Sequence, residues 1–128
     1  MKRFPLIIAV MTVLVILLGI FLFSRKPSGE SVASPLPSNY EYFWGEGCPH
    51  CANVAEFLNS WENANRVEIE KKEVYENQEN AKLLLTRAQS CNLPNNQVGV
   101  PFLFTPEGKC LVGDSPIISF FEQLEFEN

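Results

Sequence analysis

The feature that most limits the fold of this chain is a run of 20 consecutive uncharged residues, Phe4–Phe23. Of these residues, 17 are apolar. As an α-helix the run would span roughly 30 Å, which is the thickness of the hydrocarbon core of a bilayer. Residues 1–3 are then a basic flank. The sequence therefore predicts one transmembrane helix over residues 4–23, in contact with the lipid bilayer.

A cleaved signal peptide is the competing interpretation of the same run. Lys2 and Arg3 suit its basic start, and the small residues 31–33 (Ser-Val-Ala) offer a cleavage site. The apolar core of a signal peptide usually has about 7–15 residues, however, which is shorter than this run. Arg25 and Lys26 also follow it directly. We therefore favour an uncleaved anchor, although the basic residues on its two sides balance and leave its orientation open.

The remainder of the chain has a different composition. Residues 24–38 contain five Ser, three Pro and one Gly, which is typical of a semi-extended linker. Residues 39–128 then form one small domain. All 15 acidic residues but only six of the ten basic ones lie in residues 27–128, which gives this part a net charge of −9. A nucleic-acid partner is excluded on this ground, since phosphate contacts require a basic surface.

Apolar residues in the domain alternate between strand and helix periodicity. Strands are predicted at residues 40–44, 66–74, 100–105 and 109–112, and helices at residues 48–64 and 77–90 and from a cap at Ser115 onward. The order is β-α-β-α-β-β-α. A helix joins the first two strands, which should be parallel, and a turn at residues 106–108 makes the last two a hairpin. The predicted fold class is α/β with a four-stranded mixed sheet.

The motif that carries chemistry is Cys48-Pro49-His50-Cys51, at the junction of the first strand and the first helix. Sulfurs at positions i and i+3 of a helix lie on one face and can form a disulfide. Unpaired N–H groups at the helix start favour a Cys48 thiolate, and a protonated His50 adds a second positive charge. Pro49 suits the first turn. The motif predicts a redox-active thiol pair that needs no cofactor and no metal.

Two other uses of the cysteines stay open. One is a zinc or copper site in a membrane-tethered metal-binding module, built from Cys48, Cys51, Cys91 and Cys110 with His50 as the only histidine. Against it, 18 residues separate Cys91 from Cys110, which is not the spacing of a second zinc knuckle. The other is a docking domain without turnover.

The order strand, Cys-X-X-Cys, helix resembles that of the thioredoxin superfamily. Gly99-Val100-Pro101 is similar to the cis-proline loop of that family, and Val112-Gly113-Asp114 is similar to its late Gly-Asp turn. Pro49-His50 resembles the dipeptide of Dsb-type periplasmic oxidases. The resemblance implies a thioredoxin-like domain in which Cys48 is the attacking nucleophile and Cys51 is the resolving thiol. It also implies that Val100 and Pro101 form the substrate-docking edge.

The sequence departs from this family pattern in two ways. Thioredoxins and Dsb-type oxidases have a buried acid six residues before the first cysteine, where this chain has Tyr42. The sequence therefore does not identify a residue that moves the proton of the resolving thiol. The domain also lacks the inserted helical region of the Dsb oxidases and is closer in size to a minimal glutaredoxin-like core.

Three interpretations of Cys91 and Cys110 are open: two buried free thiols, a structural disulfide, and a second electron-relay pair. We favour the structural disulfide. Four paired cysteines indicate an oxidising compartment. The sequence thus predicts a single-pass cell-membrane protein with an extracytoplasmic thiol–disulfide oxidoreductase domain. Its substrates would be protein thiols or disulfides and its redox partner a membrane protein, with oxidase slightly favoured over reductase.

Overall fold

A computed structural model of the chain describes residues 3–23 and 35–126. The chain divides into two units, Met1–Val32 and Ala33–Asn128. The proposed cleavage site at residues 31–33 lies outside the described residues, as do Arg25, Lys26 and most of the predicted linker over residues 24–38.

The first unit contains one α-helix, α1, over Phe4–Phe23. The large apolar side chains described along it, from Leu6 to Phe21, are exposed. Among the described residues, however, no helix is long and apolar enough to cross a membrane. The structure therefore does not support the transmembrane helix predicted over residues 4–23.

The second unit has the predicted order β-α-β-α-β-β-α. Its elements are β1 (Tyr40–Trp44), α2 (Pro49–Ser60), β2 (Ile69–Glu73), α3 (Gln78–Ser90), β3 (Phe102–Phe104), β4 (Cys110–Val112) and α4 (Asp114–Glu122). Short 3-10 turns at Ala64–Arg66 and Asn95–Gln97 precede β2 and β3.

The four strands form one mixed sheet in the order β2-β1-β3-β4. β1 is parallel to β2 and antiparallel to β3, and β3 is antiparallel to β4. The turn between β3 and β4 is closed by a hydrogen bond of 2.9 Å from Gly108 N–H to the Thr105 carbonyl. These pairings confirm the predicted sheet and its hairpin.

Helices cover both faces of the sheet. Because side chains alternate across a strand, neighbouring residues of β1 pack against different helices. Tyr42 points toward α2 and α4, and its neighbour Phe43 points toward α3. Buried around Tyr42 are Val54, Leu58, Leu103, Ile117 and Phe121. Buried around Phe43 are Leu84, Ala88, Phe102 and Phe104. The cysteine motif follows the end of β1, and the proline loop precedes the start of β3. The two apolar clusters therefore hold both segments in place.

Three predicted boundaries were wrong. α2 ends at Ser60 because the chain then enters the 3-10 turn at Ala64–Arg66, and this turn also delays β2 to Ile69. Ser115 does not cap α4. Gly113, with a φ of 94°, is the N-cap, and Asp114 is the first residue of the helix. Only glycine adopts such a φ at no steric cost.

A buried ion pair was not predicted. Arg87 of α3 donates from Nε to Glu41 Oε2 at 2.7 Å, and both side chains are almost fully buried. The Arg87 guanidinium also donates to the Pro35 carbonyl and lies over the Phe104 ring. Leu85 of the same helix is exposed, so α3 presents Arg87 and not Leu85 to the sheet.

Candidate active site

A glycine-containing loop leads from β1 to the cysteine motif. Cys48 N–H donates to the Gly45 carbonyl at 3.2 Å, and Gly47 has a φ of 72°. A Cβ on Gly45 would run into the ring of Tyr75, which packs over it. Gly47 therefore needs the backbone freedom of glycine, and Gly45 leaves room for the exposed Tyr75 ring, in the loop that places Cys48 directly before α2.

Cys48 and Cys51 form a disulfide with a Cα–Cα distance of 5.2 Å. Cys48 is the N-cap of α2, and its Sγ accepts a hydrogen bond from Cys51 N–H at 3.2 Å. Pro49 occupies the first turn, where no N–H partner is needed. Cys51 is buried, whereas Cys48 is half-buried. Of the two sulfurs, that of Cys48 is the one open to attack.

Tyr42 lies beneath the disulfide. Its hydroxyl donates to the Cys51 carbonyl at 3.3 Å, and the side chain is 3% exposed. Burial raises the pKa of Tyr42 to about 12. The phenol therefore keeps its proton at neutral pH and cannot accept one from Cys51.

A cleft of about 380 Å³ opens beside the cysteine pair. Both cysteines line it together with Tyr42, Trp44 and Glu46. Its wall is mostly apolar, and it leads from the surface toward the buried Cys51 side of the disulfide. A second groove, of about 290 Å³, lies between Tyr75, Leu85, Val98 and Val100.

The Val100–Pro101 peptide bond is cis, as the family resemblance implies. The Val100 carbonyl oxygen lies 3.8 Å from Cys48 Sγ, and Val100 also lines the second groove. Pro101 is buried, and its carbonyl accepts a hydrogen bond of 2.9 Å from Gly113 N–H. The fold thus brings the proline loop against the sulfur that is open to attack and ties that loop to the start of α4.

His50 contacts α4 rather than remaining free in solvent. Its Nδ1 lies 2.9 Å from Asp114 Oδ2, and Asn53 Nδ2 donates to the same oxygen at 2.6 Å. The hydrogen bonds from His50 and then Asn53 lower the pKa of Asp114 to about 2. The Asp114 carboxylate is therefore ionised at neutral pH. The sequence indicated Asp114 only as part of a turn, and it gave no signal for Asn53.

Cys91 and Cys110 form the second disulfide, with a Cα–Cα distance of 6.2 Å. The two residues are therefore bridged and are not free thiols, and their structural role stays a prediction. Cys91 ends α3 and Cys110 begins β4, so the bridge joins a helix to the edge strand. Neither residue lines the cleft beside Cys48.

The chemistry of the site is that of its sulfurs. Within residues 3–23 and 35–126, no group of three or more His, Cys, Asp or Glu side chains is placed to hold a metal ion. The Cys48–Cys51 pair, at disulfide distance, is compatible with thiol–disulfide chemistry.

The mixed four-stranded sheet, with a Cys-X-X-Cys disulfide at the start of the first helix of the domain, is compatible with a thioredoxin-like fold. The chain matches no protein-family model, no curated protein and no solved structure. The assignment of a function therefore depends on the geometry of the site.

Proposed function

We propose that this protein is a thiol–disulfide oxidoreductase that acts through Cys48 and Cys51. The observation that carries the proposal is the unequal placement of the two sulfurs. Residue Cys48 is half-buried with its Sγ beside the Val100 carbonyl, while residue Cys51 is buried and its carbonyl accepts a hydrogen bond from Tyr42. Such a pair has one attacking and one resolving sulfur, as exchange through a mixed disulfide requires.

In the oxidising direction, a substrate thiolate attacks Cys48 Sγ. A bond forms between the substrate sulfur and Cys48, and the Cys48–Cys51 bond breaks. Cys51 leaves with the electron pair as a thiolate and takes up a proton. A second substrate thiolate then attacks the substrate sulfur of the mixed disulfide and expels Cys48 as a thiolate. Two electrons pass from the substrate to the pair, and the reverse sequence reduces a substrate disulfide.

The proton taken up by Cys51 comes from solvent in this scheme. The Tyr42 hydroxyl is hydrogen-bonded to the Cys51 backbone carbonyl, and its phenol stays neutral at neutral pH. The cleft beside Cys51 provides a route to water. Exchange therefore does not need a buried carboxylate beneath the pair.

The proposed direction is oxidation of protein thiols. The Cys51 N–H and the start of α2 stabilise a Cys48 thiolate, and this favours the reduced form of the pair. A disulfide whose reduced form is stabilised is a stronger oxidant. The reduction potential decides the direction: an oxidase is expected near roughly −120 mV and a reductase near roughly −270 mV.

We further propose that the domain is tethered to the cell membrane and faces an extracytoplasmic compartment, with a membrane protein as redox partner. The uncharged composition of Phe4–Phe23 supports the tether, and two disulfides in one small domain support the oxidising compartment. After cell fractionation, the full chain should remain with the membranes through alkaline carbonate washing. Recovery in the soluble fraction would refute the tether.

The enzyme proposal is tested with a reduced model protein in the presence of glutathione disulfide, which reoxidises the Cys48–Cys51 pair, and disulfide formation is followed by counting thiols on the separated model protein. The full chain should catalyse the reaction, and Cys48→Ser should abolish catalysis. The matched control replaces both Cys91 and Cys110 with Ser, which also removes one disulfide but leaves the cleft intact. Equal activity of the wild type and Cys48→Ser would refute the proposal.

A further inference from the structure

Asp114 joins the cysteine motif to α4. Its Oδ1 accepts a hydrogen bond of 3.0 Å from Ser115 N–H, within its own helix. Its Oδ2 contacts two side chains of α2, His50 at 2.9 Å and Asn53 at 2.6 Å. Asp114 Oδ1 is enough to accept a hydrogen bond from the start of α4. Its Oδ2 instead binds two side chains of α2.

The contact fixes where a hydrogen lies on the His50 ring. An ionised carboxylate can only accept hydrogen bonds, so His50 Nδ1 carries the hydrogen that it donates to Asp114. The charge of the ring then depends on its other nitrogen. The His50 side chain is 70% exposed, and the Asp114 side chain is 21% exposed. Asp114 holds this exposed ring against α4.

The same contact places the Asp114 carboxylate beside His50, whose charge affects the redox pair. His50 lies two residues from Cys48, in the first turn of the helix whose N-cap is Cys48. A protonated His50 favours the Cys48 thiolate and so favours the reduced form of the pair. A carboxylate bound to the same ring offsets that positive charge.

The position of the anion is set by the proline loop. Gly113 N–H donates to the Pro101 carbonyl at 2.9 Å, and Asp114 is the next residue. The docking loop and the carboxylate are thus held by the same turn, on the side of the domain where Val100 faces Cys48. A change at Asp114 is expected to reach the cysteine pair through His50.

We propose that Asp114 is a positioning residue that sets the redox equilibrium of the Cys48–Cys51 pair through His50, making the disulfide a weaker oxidant than its Cys-Pro-His-Cys sequence alone would make it. This inference rests on the function proposed above. The reaction that reports it is the reduction of the disulfide by two glutathione molecules, which gives the dithiol and one glutathione disulfide.

The test is the equilibrium constant of this reaction for the full chain and for Asp114→Asn. It is measured anaerobically at about pH 5.5, the acidic end of the range in which histidine side chains act as switches. The variant keeps an oxygen for Ser115 N–H and loses the charge. We expect its equilibrium constant for reduction to rise about threefold, the size of an exposed ion pair. This corresponds to a potential about 14 mV higher.

Two further variants show that the effect passes through His50. His50→Ala should lower the equilibrium constant for reduction, and adding Asp114→Asn to it should produce no further change. Asp114→Ser also keeps an oxygen at the start of α4, and it should reproduce the rise seen with Asp114→Asn. It serves as the second variant if Asp114→Asn does not fold.

The outcomes separate this inference from the proposed function. If the wild-type pair does not exchange with glutathione at all, the proposed function fails, and the inference fails with it. If the pair equilibrates normally but the two Asp114 variants leave the constant unchanged or lower it, only the inference is overturned. An equal rise with and without His50 would also overturn it.

Discussion

Cys48 Sγ lies 3.8 Å from the carbonyl oxygen of Val100, although the two residues are 52 positions apart in the chain. This distance places the sulfur open to attack against the backbone of the proline loop. A peptide bound along that loop would therefore present its own cysteine to Cys48 rather than to the buried Cys51. Under the proposed function, this relationship would let one domain both hold a protein substrate and exchange a disulfide with it.

The Cys91–Cys110 bridge should stabilise the domain without taking part in exchange. It links positions 19 residues apart, and by the loop-entropy model such a bridge contributes about 3 kcal/mol. Replacing both residues with Ser should lower the free energy of unfolding in urea by about this amount and leave exchange activity unchanged. The control is the double replacement of Cys48 and Cys51. Their disulfide closes a much shorter loop, so its loss should lower the free energy of unfolding by less. A large loss of exchange in a folded Cys91/Cys110 variant would instead indicate a relay pair.

The Glu41–Arg87 ion pair should be costly to break from one side. Arg87→Met leaves the Glu41 carboxylate buried, and the cation that remains near it among the described residues is Lys72 Nζ, at 4.0 Å. We expect the free energy of unfolding to fall by about 3 kcal/mol, because an uncompensated charge is left in the core. Adding Glu41→Leu to Arg87→Met should restore most of the lost stability. Urea unfolding of Arg87→Met, Glu41→Leu and the double variant measures the three free energies of unfolding. Additive losses in the double variant would contradict the expected coupling.

The local parts of this structure could be predicted from the sequence. The turn after β3 is specified by Pro106 at its second position and Gly108 at its fourth, and the cysteine motif lies where a strand pattern gives way to a helix pattern. The contacts between distant residues could not be predicted. His50 and Asp114 are 64 residues apart, and Glu41 and Arg87 are 46 apart. Only the packing of α2, α3 and α4 on the sheet brings these partners together.

One prediction at the site was wrong for a local reason. Ser115 has the side chain of a good helix cap, but the backbone of Gly113 already turns the chain with a φ of 94°. α4 therefore begins at Asp114, one residue before Ser115. The Asp114 carboxylate is thereby placed at the helix start facing α2, where it meets His50.

The low pKa of Asp114 should appear as an acid-dependent stability. A carboxyl whose pKa falls from 3.8 to about 2 on folding stabilises the fold above its ordinary pKa, and this stabilisation is lost as the pH falls toward 2. Asp114→Asn should therefore melt at a lower temperature than the wild type at neutral pH. The difference should disappear near pH 2. A difference of the same size at neutral pH and at about pH 2 would show that the carboxylate charge is not responsible.

Tyr42 should act as a structural hydrogen-bond donor and not as a base. Tyr42→Phe removes the hydrogen bond to the Cys51 carbonyl and keeps the ring in the core. We expect the free energy of unfolding to fall by about 1 kcal/mol. The pH profile of exchange should keep its shape, since a phenol with a pKa of about 12 does not ionise near neutral pH. A shift of the profile along the pH axis would assign Tyr42 a role in proton transfer.

The most direct test of the central claim is to trap the mixed disulfide. Cys51→Ser leaves Cys48 as the sulfur beside Val100 and removes the thiol that resolves the intermediate. Incubated with a disulfide-bonded peptide, this variant should accumulate a covalent adduct, and peptide mapping should place the adduct on Cys48. Cys48→Ser should form no such adduct, because Cys51 is buried. Equal trapping in both variants, or none in Cys51→Ser, would contradict exchange through Cys48.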